Sequence, residues 1–324
     1  MNSADHRWSL VLAAGAGTRL NSLTTVRDSV AVPKQFWSLA GGASLLEETL
    51  ERASAVTGAD RVVVVVAAEH RAYWQGVLRG LPTENVIVQP RNCGTAIGIL
   101  LGMTAILARD VHARVVMLPS DHFVEQESAL RRSILRVLAS PPRGREITFL
   151  GIRPDDVDPE LGYIVRGAPD AGGGFRIARF IEKPDRETAQ DLIARSALWN
   201  SFILIATARA FVDLIGQRHA ALAEAFRCAF GTAVDSPEAS AVLERLYAGL
   251  PSLDFSRDVV EGADAPLRVV AVPACGWSDL GTPRRVAACL DRIGARRYAV
   301  DAAQLSLAAA QSRLTQFGAA ALAG

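Results

Sequence analysis

A few cations, carboxylates and glycines carry whatever chemistry this chain performs. The stretch Leu10 to Leu20, LVLAAGAGTRL, sets Gly15 and Gly17 directly after a short apolar run, with Arg19 two residues on. Glycines in that place permit a tight turn whose backbone amides can approach a phosphate closely. A lone Gly-x-Gly is an ordinary strand-to-helix turn as often as it is an anion site. Arg19 and Lys34, the latter in Pro33-Lys34-Gln35-Phe36, shift that balance toward an anionic ligand. The turn is not a dinucleotide fingerprint, because Leu20 stands where the third glycine belongs. It is not a P-loop either, since no Gly-Lys-Ser/Thr occurs.

Lys183 shares a setting with Lys34: each is fixed between a bulky apolar segment and a proline. A single lysine is ordinarily a solvated charge. Asp121 and Asp279 each follow a strand-like run, at the edge where α/β sheets bind ligands. Magnesium takes one or two protein carboxylates and completes its shell with phosphate and water. Aspartate is also a common turn former after strands, and residue type alone favours that plainer role. His122 has no second histidine at ligand spacing and reads as a packed residue. Trp199 and Trp277 read as core supports. Asp254, Arg257, Asp258 and Glu261, in LDFSRDVVE, fit a solvated helix start and a substrate contact equally. No GxSxG nucleophile elbow occurs.

The elements that position these groups are legible as periodicity. Ser9 to Ala13, the valine run Arg61 to Ala68, Asn85 to Val88 and Arg114 to Leu118 read as strands, the valines as one buried on both sides. Ser44 to Ala55 and Gly94 to Arg109 have the apolar spacing of helices. This β-α-β-α-β order predicts an open, mostly parallel α/β sheet covered by helices. From about Glu146 the strands shorten: Ile147 to Ile152, Gly162 to Arg166, Phe175 to Ile181 and, later, Leu267 to Val272 suggest a mixed or antiparallel extension. Thr207 to Phe230 and Ser236 to Leu246 are expected to be helical. The expected division is a catalytic domain over 1–294, its halves meeting near 145, and an Ala-rich helical tail over 295–324.

Composition excludes several classes. Of 324 residues, 35 are Lys or Arg and 34 Asp or Glu, a net charge of +1 that does not suggest general nucleic-acid binding. The hydrophobic share of 50% excludes disorder for most of the chain. Cys93, Cys228, Cys275 and Cys289 are too scattered for a zinc site or disulfide framework, which fits reduced thiols in a cytoplasmic protein. The longest apolar runs, Val62 to Ala68 and Ala96 to Ala108, fall short of the roughly 20 residues that span a bilayer, so no membrane partner is expected.

Taken in order, LAAGAGTRL, VPKQF, QPRNCGTA, LPSDH, LGYI, FIEKP, WNS and GWSDLGT make the chain resemble the sugar-1-phosphate nucleotidylyltransferases. It is most similar to the bacterial mannose-1-phosphate guanylyltransferases, over roughly the first 290 residues. Ala14 departs from the usual second glycine, a change tolerated where φ stays negative. The loop between Arg19 and Pro33 is longer than in the commonest members. No cupin-like isomerase segment follows, so a second, isomerase activity is not expected.

The resemblance implies a nucleotide-diphospho-sugar transferase fold, Rossmann-like, with a mixed sugar-binding extension. It implies nucleotidyl transfer to a sugar 1-phosphate, with GTP and mannose 1-phosphate the favoured pair and Mg²⁺ the cofactor. A sugar phosphate is already an anion, so such a reaction asks for positioning and charge neutralisation rather than a general base. Arg19 would then hold the departing phosphates, Lys34 the α-phosphate and Lys183 the sugar's phosphate. Ala14, Gly15, Gly17, Thr18, Gln89, Gly94 and Thr95 would form the nucleotide side. Gly162, Glu182 and Asn200 would bind the sugar, and Asp121 and Asp279 the metal. The apolar residues of the tail, including Leu305, Leu307, Leu314 and Phe317, would cover the core or join a second subunit as a homodimer.

Overall fold

A computed structural model describes residues 6–16, 32–170, 172–230 and 237–294. Among them, nine strands form one sheet in the order β3-β2-β1-β4-β8-β5-β9-β7-β6. The strands are β1 (Arg7–Ala13), β2 (Val62–Ala67), β3 (Val86–Gln89), β4 (Arg114–Pro119) and β5 (Ile147–Ile152). They continue as β6 (Gly162–Asp170), β7 (Gly174–Glu182), β8 (Leu198–Thr207) and β9 (Leu267–Ala271). Strands β1 to β4 pair in parallel, as the alternation of strand and helix predicts. Beyond β4 the sheet is mixed: β8 lies antiparallel to β4 and β5, whereas β5 and β9 run parallel.

The valine run explains why the sheet is covered on both sides. Successive side chains of a strand point to opposite faces, and every residue of β2 is buried. Val63 and Val65 join Leu10 in the apolar cluster under α3 (Thr95–Arg109) and α6 (Ala208–Arg218). Val62, Val64 and Val66 join Val11 and Ala13 under α1 (Leu45–Thr57) and α4 (Glu127–Ala139). Residues Ala96 to Ile106 of α3 are all buried, the pattern of a helix enclosed on every side. Helix α1 begins in a capping box, Ser44 Oγ accepting from Glu47 N and Glu47 Oε2 from Ser44 N. Short helices α2 (Arg71–Val77), α5 (Arg186–Ala194), α7 (Ala220–Phe230) and α8 (Pro237–Ala248) complete the layers.

Two features differ from the sequence expectation. The stretch Thr207 to Phe230 is two helices, α6 and α7, broken at His219, which leaves the helical conformation with φ −130° and ψ 53°. More consequential is β8, which periodicity did not reveal. Its N-terminal residues Leu198 and Trp199 also pair with Ile164 and Tyr163 of β6, so β8, β5, β9, β7 and β6 close into a ring beside the parallel sheet. The expected open sheet is therefore open only along its β3 side. The sheet runs continuously across residue 145, so both expected halves share it. The tail over 295–324 lies outside the described residues. Among those described, no helix is long and apolar enough to cross a membrane, and all four cysteines are unbridged.

Candidate active site

A cleft of about 580 Å³ opens where the carboxyl ends of β1, β4 and β7 meet β8 and the loop after β9. This is the edge at which α/β sheets bind ligands. Gly15, Lys34, Thr95, Asp121, Gly162, Glu182, Lys183, Asn200 and Asp279 all line it, so residues from both ends of the described chain converge there. Gly17, Thr18 and Arg19 lie outside the described residues.

Lys34 is the hinge of the charged end. It sits in a single 3-10 turn, Lys34–Phe36, and is only 6% exposed. A buried ammonium needs partners, and Lys34 Nζ donates to Asp121 Oδ2 at 3.0 Å and to the Asp279 carbonyl. Next to it, Gln35 Nε2 donates to the carbonyls of Ala13 (3.2 Å) and Gly15 (2.8 Å), tying the turn after β1 to the same segment. Sequence reasoning left Gln35 without a role. Its signal was a polar residue between Lys34 and Phe36 in a segment too short for a helix face.

Asp121 and Asp279 come together through backbone pairing that no sequence spacing shows. Phe123 N donates to Ser278 O and Ser278 N to Phe123 O, both at 2.9 Å, stitching the two aspartate-bearing loops side by side. Burial pushes the Asp121 carboxyl up, but Lys34 and His122 together bring it below its ordinary value. Asp279 is 7% exposed, and its Oδ1 lies 3.6 Å from Arg285 Nη1 without a hydrogen-bond partner among the described residues. Two hard carboxylates, one with an unsatisfied buried oxygen, suit the donor set that magnesium takes. No group of three or more His, Cys, Asp or Glu gathers among the described residues, so phosphate and water would have to fill the rest of the shell. His122 packs edge-on against Trp277, ring centroids 5.2 Å apart, and burial pulls its pKa down against the opposing pull of Asp121. Trp199 and Trp277 are both buried, as core supports should be.

The opposite end is built from β6, β7 and β8. Gly162 pairs with Glu182 across β6 and β7, and a Cβ on Gly162 would lie 2.6 Å from Glu182 Oε2. A side chain there would displace that carboxylate from its present position. Burial, then the charge of Asp254, raises the Glu182 pKa from its ordinary 4.5 to about 7. Asn200 is 8% exposed, and its Oδ1 accepts from Phe202 N at 3.0 Å. Lys183 Nζ lies 4.0 Å from Glu160 Oε2. Lys183, Phe202 and Leu280 all line the cleft, and all three have left-handed φ angles of 47°, 57° and 48°. Such conformations cost of order 1–3 kcal/mol each and gather at functional sites. Lys183 is doubly constrained, because the residue before a proline favours extended backbone.

The nucleotide side is placed less directly. Thr95 opens α3, and its Oγ1 accepts from Phe255 N at 2.8 Å. Gly94, at φ 86°, lets Leu253 approach: a Cβ there would lie 2.3 Å from Leu253 O. Its glycine therefore answers to packing, and Gly94 does not line the cleft. Ala14 avoids positive φ, as its tolerance requires, and packs against the core beside Gly15. Gln89, expected to read a base, is 1% exposed and accepts at Oε1 from the Tyr247 hydroxyl at 3.4 Å. It braces β3 against α8 instead of facing the cleft. Of the four charged residues that the sequence left undecided, Asp254 lines the cleft, as does its neighbour Ser256, while Arg257, Asp258 and Glu261 do not.

Comparison with known proteins gives the chain's relatives. The chain is 31% identical over 278 residues to the xanthan biosynthesis protein XanB of Xanthomonas campestris pv. campestris (strain B100), covering 84% of this chain and 57% of that protein. It is 31% identical over 285 residues to the mannose-1-phosphate guanylyltransferase of Escherichia coli (strain K12), covering 85% and 58%. The chain thus spans somewhat over half the length of these curated relatives. A crystal structure from Thermus thermophilus, described as a mannose-1-phosphate geranyltransferase, superposes with a TM-score of 0.73 at 30% identity, covering 87% of this chain and 79% of that one. The nucleotidyl transferase family model matches residues 8–292, and with the cleft so built the chain belongs to that family.

Proposed function

We propose that this protein transfers a nucleotidyl group from a nucleoside triphosphate to a sugar 1-phosphate, with GTP and mannose 1-phosphate the favoured pair. The observation that carries the reading is one cleft with Lys34 between Asp121 and Asp279 at one end and Glu182, Asn200 and Lys183 at the other. A polyanion would fit the first end with Mg²⁺ offsetting its two carboxylates, and a hydroxylated ring the second. The 31% identity to an Escherichia coli protein named as a mannose-1-phosphate guanylyltransferase supports the particular pair.

In the proposed reaction an oxygen of the sugar phosphate attacks the α-phosphorus, and the bond from that phosphorus to the β-phosphate oxygen breaks, releasing pyrophosphate. Repulsion between the two anions is the main obstacle, so cationic groups matter more than a base. Lys34 stands nearest the site of that charge, steadied by the two loops it joins. Lys183, left-handed in spite of the proline that follows it, would meet the phosphate of the sugar. Arg19 would take the departing phosphates. Mg²⁺, held by Asp121 and Asp279, would supply further neutralisation of phosphate charge. Lys34 and the Phe123–Ser278 pairing fix where those carboxylates stand.

Pyrophosphate release by the purified chain, measured across a matrix of triphosphates and sugar 1-phosphates with magnesium, tests this. GTP with mannose 1-phosphate is expected to give the highest kcat/KM. A better pair, such as glucose 1-phosphate with UTP or dTTP, overturns the substrate assignment. Tight binding of a nucleotide-sugar without any turnover overturns the reaction itself.

A further inference from the structure

Asp254 has no role in the reaction as described above, yet it lines the cleft. It caps the six-residue π-helical turn Phe255–Val260, its Oδ1 accepting from Arg257 N at 2.9 Å, while its own N–H donates to Asp258 Oδ2 at 2.7 Å. The turn is pinned to α3: Phe255 N donates to Thr95 Oγ1, Leu253 N to Cys93 O, and Ala96 N to Leu253 O. Asp254 is thus held from both sides, and only one of its carboxylate oxygens is used by the cap.

Its neighbours at that end of the cleft, Glu182 and Asn200, keep hydrogen-bonding capacity unused among the described residues. No hydrogen bond among the described residues reaches the Glu182 carboxylate or Asp254 Oδ2, and both side chains are only partly buried. Asn200 is more than nine-tenths buried, lines the same cleft, and spends its Oδ1 on Phe202 N, which leaves its NH₂ without an acceptor. Polar groups this deeply set are ordinarily satisfied. A ligand presenting hydroxyls, each able to donate and accept, would satisfy all three at once.

We propose that Asp254 is a second sugar-selecting carboxylate, which together with Glu182 accepts hydrogens from two neighbouring ring hydroxyls of the sugar 1-phosphate while Asn200 donates to one of them. This rests on the sugar-1-phosphate reading above and names what selects the sugar. Two acceptors on the wall of one cleft favour a neutral polyol, because a ring lacking either hydroxyl leaves one carboxylate without its hydrogen-bond donor in the complex. The electrostatics agree: burial first, and the Asp254 charge second, raise the Glu182 pKa to about 7, with Glu261 adding to that and Lys183 and Arg257 opposing it.

The test is Asp254→Asn in the full chain. Asparagine caps a helix as well as aspartate does, so the turn and the melting temperature are expected to survive while the charged acceptor is lost. KM for the sugar 1-phosphate should rise about tenfold, the loss of one charge-assisted hydrogen bond, with KM for the triphosphate unchanged. A panel of monodeoxy sugar 1-phosphates supplies the coupling. Wild type should lose at least about tenfold in kcat/KM for one deoxy sugar, and Asp254→Asn should lose little more on that analogue, since one contact cannot be lost twice. The acid limb of kcat/KM for the sugar should also move to lower pH in the variant, because the neighbour that raises Glu182 is gone. Equal sugar KM in wild type and variant, or deoxy losses that multiply with the mutation, overturns the proposal. A rise in both KM values together with a lowered melting temperature assigns Asp254 to the cap alone and overturns it too. No turnover of any sugar 1-phosphate by wild type instead refutes the underlying reading.

Discussion

Replacing Glu182 by glutamine should stabilise the fold in a strictly pH-dependent way. Glu182 lies in the cleft wall and has a folded pKa of about 7 against an ordinary 4.5. Below 4.5 the group is protonated in both folded and unfolded chains and contributes nothing. Between 4.5 and 7 the unfolded chain ionises first, so the folded state binds more protons and stability falls as pH rises. Above 7 the whole cost is present. That gap, at about 1.4 kcal/mol for each pH unit, sets a ceiling of about 3 kcal/mol. Glutamine keeps the shape and removes the titration. Urea unfolding of wild type and Glu182→Gln at about pH 5 and pH 8 separates this from any constant effect of the amide. The variant should gain about 2–3 kcal/mol on wild type between the two pH values, while sugar binding weakens. Parallel stabilities at both pH values would refute a buried, destabilising carboxylate at this position.

Two further predictions concern placement. Gly94→Ala forces a side chain against Leu253 O at a left-handed backbone, and should cost at least about 2 kcal/mol in urea unfolding. Gly15→Ala is the matched control: nothing described lies within 4 Å of a Cβ there, so its stability should stay within about 0.5 kcal/mol of wild type. Asp279→Asn and Asp121→Asn should each lower kcat by about 10²–10³; the melting temperature should stay nearly unchanged in Asp279→Asn and fall in Asp121→Asn, which takes the charged partner from buried Lys34. The double variant should fall far short of the product of the two losses, because both carboxylates serve one centre. Single-turnover rates at saturating substrate and limiting magnesium check this, and near-normal turnover in Asp279→Asn would remove it from the site.

Much of the parallel half of the molecule is written in local order and residue type. The valine run announced a strand buried on both faces, and β2 sends alternate valines into two cores. The apolar spacing of 94–109 announced a helix, and the order of strands and helices announced the parallel part of the sheet. Lys34, Asp121, Lys183 and Asp279 stood among apolar segments, prolines and strand ends, but the motifs of the family resemblance were what singled them out; all four line the cleft. The remainder depends on long-range packing. Strand β8 hid because Asn200 and Ser201 interrupt its apolar pattern and Phe202 turns left-handed, yet it closes the ring that carries the sugar end. Gln89 looked like a recognition residue but faces Tyr247, since an amide's type does not say which way its strand presents it. Asp254 could not be told from a helix cap, and it is one, but the cap also stands in the cleft wall. Asp121 and Asp279, far apart in the chain, are brought to one cleft by the Phe123–Ser278 backbone pairing and by Lys34, which bonds to both loops. Such pairings depend on register between distant strands and loops, which no local pattern along one chain encodes.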